Sequence, residues 1–296
     1  MTNLETALTA SALPMRARRI GRFCRALLRN RAAVVGLLLI LLLVFVAVLA
    51  PWLQPYNPLK MGAGRRLQPP SFAHPFGTDE FGRDLLSRII MGSRMTLAVG
   101  LVSVGISTTC GLLIGLTAGY TGGWIERLLM RSVDVLFSFT EILIALAAVA
   151  VLGPSLQNAV FAVGVAAIPF YARVTYAQVI VEKNKPYFEA GVAMGASSFR
   201  LIFRELLPNV IPPLIVVATL GMSTAILAVA GLSFLGLGAQ PPYPEWGLLL
   251  AQGRDYITRA PWITTIPGVA IAVTVLGFNL LGDGIREGLD PGRGDR

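Results

Sequence analysis

Two carboxylates stand in otherwise apolar sequence, Asp134 and Glu141, seven residues apart within the run from Val133 to Leu152. Ionisable groups inside a membrane are costly, and they mark substrate paths, proton relays or ion pairs. On one continuous helix, Glu141 would lie about 10 Å beyond Asp134 on nearly the same face. Asp134 is therefore expected near the interface, as a helix-start residue or paired with Arg131. Glu141 must face protein or water, either lining a translocation path where it could meet a cationic solute or pairing with an arginine of a partner. Other chemistry is scarce. His74 is the sole histidine, and Cys24 and Cys110 lie far apart, so neither a zinc site nor a disulfide framework can be assembled. None of the three lysines, Lys60, Lys183 and Lys185, follows a glycine, which excludes a G-x-x-x-x-G-K-[ST] phosphate loop. The chain is expected to hold no cofactor or metal and to be no enzyme: it lacks the groups for most nucleophilic or metal chemistry.

The elements that carry these groups are apolar. With 296 residues, 54% hydrophobic and only 14% charged, at a mean hydropathy of +0.67, the composition excludes an ordinary soluble domain. Six apolar segments can be drawn, over 32–50, 95–119, 133–152, 156–171, 210–237 and 263–281. The first is long enough to span hydrocarbon and is read as a retained span rather than a cleaved signal peptide. The fourth is short, and Pro169 near its end disfavours helical geometry at the residue before it. The net charge of +9 is distributed along the chain rather than gathered into a stripe, which argues for topology and against nucleic acid. With a cytoplasmic amino terminus, 17 of the 25 basic residues fall inside, so both termini are expected in the cytoplasm. The discordant group is Arg83, Arg88 and Arg94. Charge alternates there with Leu85, Ile89 and Met91, which predicts a separate amphipathic helix on the membrane surface. Trp52, Trp124 and Trp262 mark span ends. Gly111, Gly115 and Gly119 form a double G-x-x-x-G that lets another helix approach, within this bundle or in a second subunit.

The stretch 182–208 reads as a helical hairpin. Asn184 and Pro186 start a short helix, Gly195 ends it, and Ser197 or Ser198 caps a second. Phe199, Ile202, Phe203 and Leu206 recur at helical spacing, opposite Arg200 and Arg204, a pattern a helix resting on lipid would share.

Glu189, Ala190, Gly191, Gly195, Leu207 and Pro208 keep the spacing E-A-A-x3-G-x9-I-x-L-P, with Gly191 in place of the second alanine and Glu205 in place of the isoleucine. The hairpin thus resembles the cytoplasmic motif of permease subunits of bacterial ATP-binding-cassette importers. Three further stretches, over 74–94, 231–247 and 278–291, resemble the dipeptide/oligopeptide/nickel branch, and within it the second of two permease subunit types. The family carries proline where Thr140 stands and a small residue where Glu141 stands.

The resemblance implies an all-α membrane protein of six transmembrane helices with type I importer permease architecture. The expected organisation is a basic tail (1–31), the first span (32–50), an extracytoplasmic segment with its surface helix (51–94), a core of five spans (95–281) enclosing the coupling loop (182–208), and a tail (282–296). It further implies a homologous second permease, two ATPase subunits that hold ATP and Mg, an extracytoplasmic solute-binding protein and a place in the inner membrane. Substrates would be peptides or a related solute such as a nickel complex. The rival reading is a proton-coupled secondary transporter using Asp134 and Glu141 as its relay.

Overall fold

The computed structural model describes residues 27–289; Cys24, most of the basic tail, and Asp290 to Arg296 lie outside them. Within that range the elements are α1 (Arg31–Leu53), α2 (Leu85–Thr121), α3 (Gly123–Phe137), α4 (Glu141–Leu152), α5 (Leu156–Lys183), α6 (Pro186–Ala193), α7 (Ser198–Phe234), α8 (Trp246–Gly253) and α9 (Trp262–Leu289). No strand occurs among the described residues. α1, α2, α5, α7 and α9 are each long and apolar enough to cross a membrane, and α3 with α4, bent by 88°, makes a sixth when the pair is taken as one span. The expected count of spans therefore holds, but several limits move.

α1 begins where the Asn30 side chain accepts from the Ala33 N–H. At about 1.5 Å per residue its 23 residues reach ~34 Å, enough to span. Leu38, Leu42 and Phe45 point outward, as befits a lipid-facing or partner-facing surface. The inner face meets α9 backbone to backbone: a Cβ on Gly36 would stand 2.6 Å from the Leu281 nitrogen. The glycine stripe of α2 does the same within this chain. Cβ atoms on Gly111, Gly115 and Gly119 would collide with Tyr171, Ala172 and Val179 of α5, the closest 2.4 Å from the Ala172 carbonyl oxygen. The stripe therefore serves the chain's own bundle.

The separate surface helix over 84–94 is not found. Asp84 caps α2 by accepting from the Ser87 N–H at 2.8 Å, and the helix runs unbroken from Leu85 to Thr121. Arg83 and Arg88 are fully buried, at 1% and 0% exposure. Arg83 Nε donates to Asp79 at 2.5 Å, and Arg88 donates to the Pro58 carbonyl and the Gln252 side chain, each at 3.3 Å. Asp84 also meets His74 Nδ1 at 2.9 Å. The alternation of charge and apolar residues that suggested a lipid surface reflects a folded segment, residues 54–84, whose core is ionic and which packs against Trp262 of α9, the Nε1 of which donates to the Thr78 carbonyl. Buried and paired, these two arginines are not the free loop charges that orient a chain, which removes most of the discordance in the basic count.

Two further boundaries shift. α5 continues past Pro169 to Lys183, because Ala167 stays in the helical region and the proline occupies the first turn of the continuing piece, where its missing N–H costs nothing. α9 extends to Leu289 and takes in the start of the expected 282–296 tail. α7 ends at Phe234, with Gly236 at φ +80° and the Leu237 N–H returned to the Leu232 carbonyl.

Candidate functional site: hairpin and membrane cavity

At the end of the bundle opposite the 54–84 segment, α6 and the start of α7 form the hairpin. Pro186 opens α6, and Gly195 turns the chain at φ +76°, a conformation that a side-chain-bearing residue adopts at a cost. The Ser197 hydroxyl then accepts from the Arg200 N–H to begin α7. The first turns of α7 are not α-helical. Over Leu201–Leu206 the helix widens to π geometry, and the Leu207 N–H reaches back to the Ile202 carbonyl. Pro208 follows at once with no N–H to give, a common cause of a disturbed ladder.

The widening changes which side chains face inward. Five residues per bond place Leu201 and Leu206 on one face, where they join Val179, Phe188 and Val210 in a small core. The expected stripe of Phe199, Ile202, Phe203 and Leu206 is thereby split: Leu206 is buried, Ile202 half-buried, and Phe199 and Phe203 are 71% and 54% exposed. The two rings stack at 4.4 Å between Arg200 and Arg204, beside Pro208, around a surface hollow of about 310 Å³. Glu189 and Ala190 are exposed, and Gly191 packs so closely that a Cβ there would sit 3.1 Å from Leu201. The neighbour is the tip of a flexible side chain, so the alanine of the family motif would need only a small shift of Leu201.

A polar latch fixes the hairpin to the bundle. Glu182, buried at the end of α5, accepts from the Tyr187 hydroxyl and from Lys185 Nζ at 2.5 Å. Asn209 on α7 donates to the Tyr187 oxygen at 3.2 Å and to the Glu205 carbonyl at 2.7 Å. Burial and the neighbouring Glu182 carboxylate push the Tyr187 hydroxyl well above its ordinary pKa, so it stays a donor. One side chain thus bridges α5, α6 and α7. Neither Glu182 nor Asn209 stood out in the sequence; the only hint was a carboxylate and a tyrosine flanking the short polar turn.

Within the bundle, Asp134 and Glu141 do not share a helix. α3 and α4 meet at an 88° bend over residues 138–140. Asp134 pairs with Arg173 of α5, not with Arg131. Glu141 stands at the start of α4 and opens into a cavity of about 320 Å³ between α2, α5 and α7, lined also by Ser103, Ser107, Phe170, Tyr171 and Thr224. A relay along one helix face, which the proton-coupled reading needs, is not what the fold provides. Of the predicted site residues, the structure brings Glu189, Ala190, Gly191, Gly195, Leu207 and Pro208 together on the hairpin and separates the two acids.

A bundle of apolar spans with a latched hairpin at one end and a largely apolar cavity holding Glu141 and a few hydroxyls is the architecture of a multi-pass membrane protein. Comparison with known proteins agrees. The chain belongs to the family of binding-protein-dependent transport system inner membrane components, whose sequence profile matches residues 111–294. The N-terminal transmembrane domain of oligopeptide transport permease C matches residues 19–70. Among its relatives, the di/tripeptide transport system permease protein DppC of Pseudomonas aeruginosa is 47% identical over 91% of both chains. The dipeptide permease DppC of Escherichia coli is 44% identical over 89% of this chain and 90% of its own length. The glutathione transport permease GsiD of Pectobacterium atrosepticum is 44% identical over 91% and 90%. A chain from an inward-facing structure of the MetNI methionine ABC transporter superposes with a TM-score of 0.58 over 70% of this chain and 98% of its own, at 23% identity, which bears on the fold. The chain is accordingly a transport subunit of the ATP-binding-cassette importer class, with the type I permease fold.

Proposed function

We propose that this chain is the second permease subunit type of a heteromeric importer that carries dipeptides or closely related small solutes, such as short thiol peptides or nickel complexes, across the bacterial inner membrane. Both termini are cytoplasmic, which puts the hairpin inside and the 54–84 segment outside. The basic count supports this orientation more strongly once the buried Arg83 and Arg88 are set aside. A homologous permease completes the pathway, an extracytoplasmic solute-binding protein delivers the solute, and two ATPase subunits bind ATP and Mg; this chain hydrolyses nothing itself.

The observation that carries the reading is the latch. A hairpin that transmits motion must be stiff relative to the spans, and Tyr187 ties it to α5 and α7 at once. Glu189, Ala190, Gly191, Gly195, Leu207 and Pro208 position the exposed Phe199 and Phe203 for the ATPase groove. Nucleotide binding in the partner supplies the differential contact that selects between inward-open and outward-open states. Glu141 lines the path, and Asp134 with Arg173 braces α3 against α5 beside it.

Gly195→Trp and Glu189→Lys in the assembled importer test this. Glu189 is exposed, and a Cβ on Gly195 meets nothing within 4 Å, so the strain of a tryptophan at φ +76°, about 1–2 kcal/mol, falls on the hairpin turn and each variant keeps the bundle while altering the docking surface. Transport should fall while basal ATP hydrolysis and membrane insertion persist. Wild-type transport by both variants overturns the assignment.

A further inference from the structure

Three of the four hydroxyls on the lining of the cavity beside Glu141 face it as acceptors, and Tyr171 carries the fourth, an O–H that can also donate. Ser103 Oγ donates to the Val160 carbonyl at 3.0 Å, Ser107 Oγ to the Ser103 carbonyl at 3.0 Å, and Thr224 Oγ1 to the Gly221 carbonyl at 3.0 Å. These hydroxyl hydrogens are committed to the helix backbones, so what the three oxygens can offer the cavity is lone pairs. Glu141 adds a carboxylate, which when ionised only accepts. Among the described residues it has no ion-pair or hydrogen-bond partner, and no lysine, arginine or histidine lines the cavity. An unpaired carboxylate beside three accepting hydroxyl oxygens is complementary to a compact cation rich in N–H donors, with the Tyr171 hydroxyl as a further acceptor. The remaining wall is apolar, with Phe170 among its members, and at about 320 Å³ the space suits a single terminal residue rather than a long solute.

Resting on the peptide-import reading, we propose that this cavity is a transit subsite for the amino-terminal ammonium of the peptide: Glu141 neutralises the charge, the hydroxyl oxygens accept its N–H groups, and the first side chain lies against the apolar wall. The bend at residues 138–140 makes the subsite possible. A straight α3–α4 helix would carry Glu141 on the same rod as Asp134, whereas the break turns the start of α4 toward α2 and α7.

The test uses the complete importer with its binding protein in proteoliposomes, and alanyl-phenylalanine as the probe. Import rate, binding-protein affinity for the probe and stimulated ATPase activity are each measured. Glu141→Gln should slow import about tenfold, the scale of one lost charge-assisted hydrogen bond, with stimulated ATPase activity retained, so transport per ATP falls. Glu141→Asp should recover part of the rate, and Glu141→Lys should fall below Gln. Wild-type import by Glu141→Gln overturns the subsite, as does a parallel loss of ATPase activity that Asp fails to rescue, which would mark a purely structural acid. An equal loss in the wild type on replacing Na+ with choline would assign the carboxylate to an inorganic cation and also overturn it. Failure of the wild-type importer to move any peptide defeats the substrate reading and the subsite together, and so is distinguishable from failure of the subsite alone.

Discussion

Tyr187→Phe removes one oxygen from the latch and nothing from the packing. The lost hydroxyl donates to Glu182 and accepts from Asn209. A hydrogen bond to a charged group is worth about 1.5–3 kcal/mol, but Lys185 remains on Glu182 with its side chain 46% exposed, so partial compensation and solvent screening reduce the expected loss to ~1–2 kcal/mol. That loss should fall on local opening of the hairpin rather than on global unfolding, because the core of Val179, Phe188, Leu201, Leu206 and Val210 is untouched. Amide hydrogen exchange of the whole chain in nanodiscs reads it directly. The amides of α6 and of the turn that follows it, Met194 and Ala196 among the latter, should exchange about 5–30 times faster, as 1–2 kcal/mol requires at RT of ~0.59 kcal/mol, while α2 amides around Gly111 keep their protection. Asn209→Ala combined with Tyr187→Phe should cost less than the two alone summed, since they share a bond. Unchanged α6 exchange, or acceleration spread evenly over α2 and α6, refutes the rigid-hairpin argument.

Other consequences are accessible to simpler measurements. Gly115→Ala puts a methyl 2.4 Å from the Ala172 carbonyl and should destabilise the chain by about 1–3 kcal/mol in a detergent melt, whereas Gly105→Ala, whose Cβ meets nothing within 4 Å, should be neutral or stabilising; equal effects would show that the stripe does not carry the α2–α5 contact. Arg88→Met breaks a buried ionic network and should cost about 3–5 kcal/mol, seen as lost folded yield, while Arg94→Ala on the exposed side of the same helix should stay within about 0.5 kcal/mol. Gly191→Ala, facing only the tip of the Leu201 side chain at 3.1 Å, should be accommodated with a change below about 1.5 kcal/mol and full transport activity, measured in the reconstituted importer.

What the sequence displays depends on whether hydropathy or tertiary contact decides the element. The runs that became α1, α2, α7 and α9 are visible because lipid alone imposes them, and the hairpin caps at Pro186, Gly195 and Ser197 are visible because capping is local. The bend after Phe137 is hidden, since Ser138, Phe139 and Thr140 keep the apolar run going while Thr140 adopts extended geometry at ψ 134°. The far end of α5 is hidden for the opposite reason: Arg173, Thr175 and Tyr176 lower its hydropathy although Thr175 is fully buried against α2. Alternating charge over 83–94 reads the same whether the charged face meets headgroups or Asp79 and Gln252. α8 is too short for a periodic signal; its only local mark is Glu245, whose two carboxylate oxygens accept from the Gly247 and Leu248 N–H groups at 2.9 Å each.

α5 connects the two ends of the proposal within one element. It carries Tyr171 on the cavity wall, Arg173 on Asp134, and Glu182 in the latch. Its other face is locked to α2 by three glycines that leave no room for sliding without a steric clash, so α2 and α5 must move together. A displacement of the hairpin that preserves the Tyr187 latch therefore displaces the wall on which Tyr171 sits, while Glu141, on the far side of the 88° bend, belongs to a different rod. The cavity changes shape when the first moves relative to the second. The break that lets the two rods part lies at residues 138–140, outside both the latched hairpin and the glycine seam.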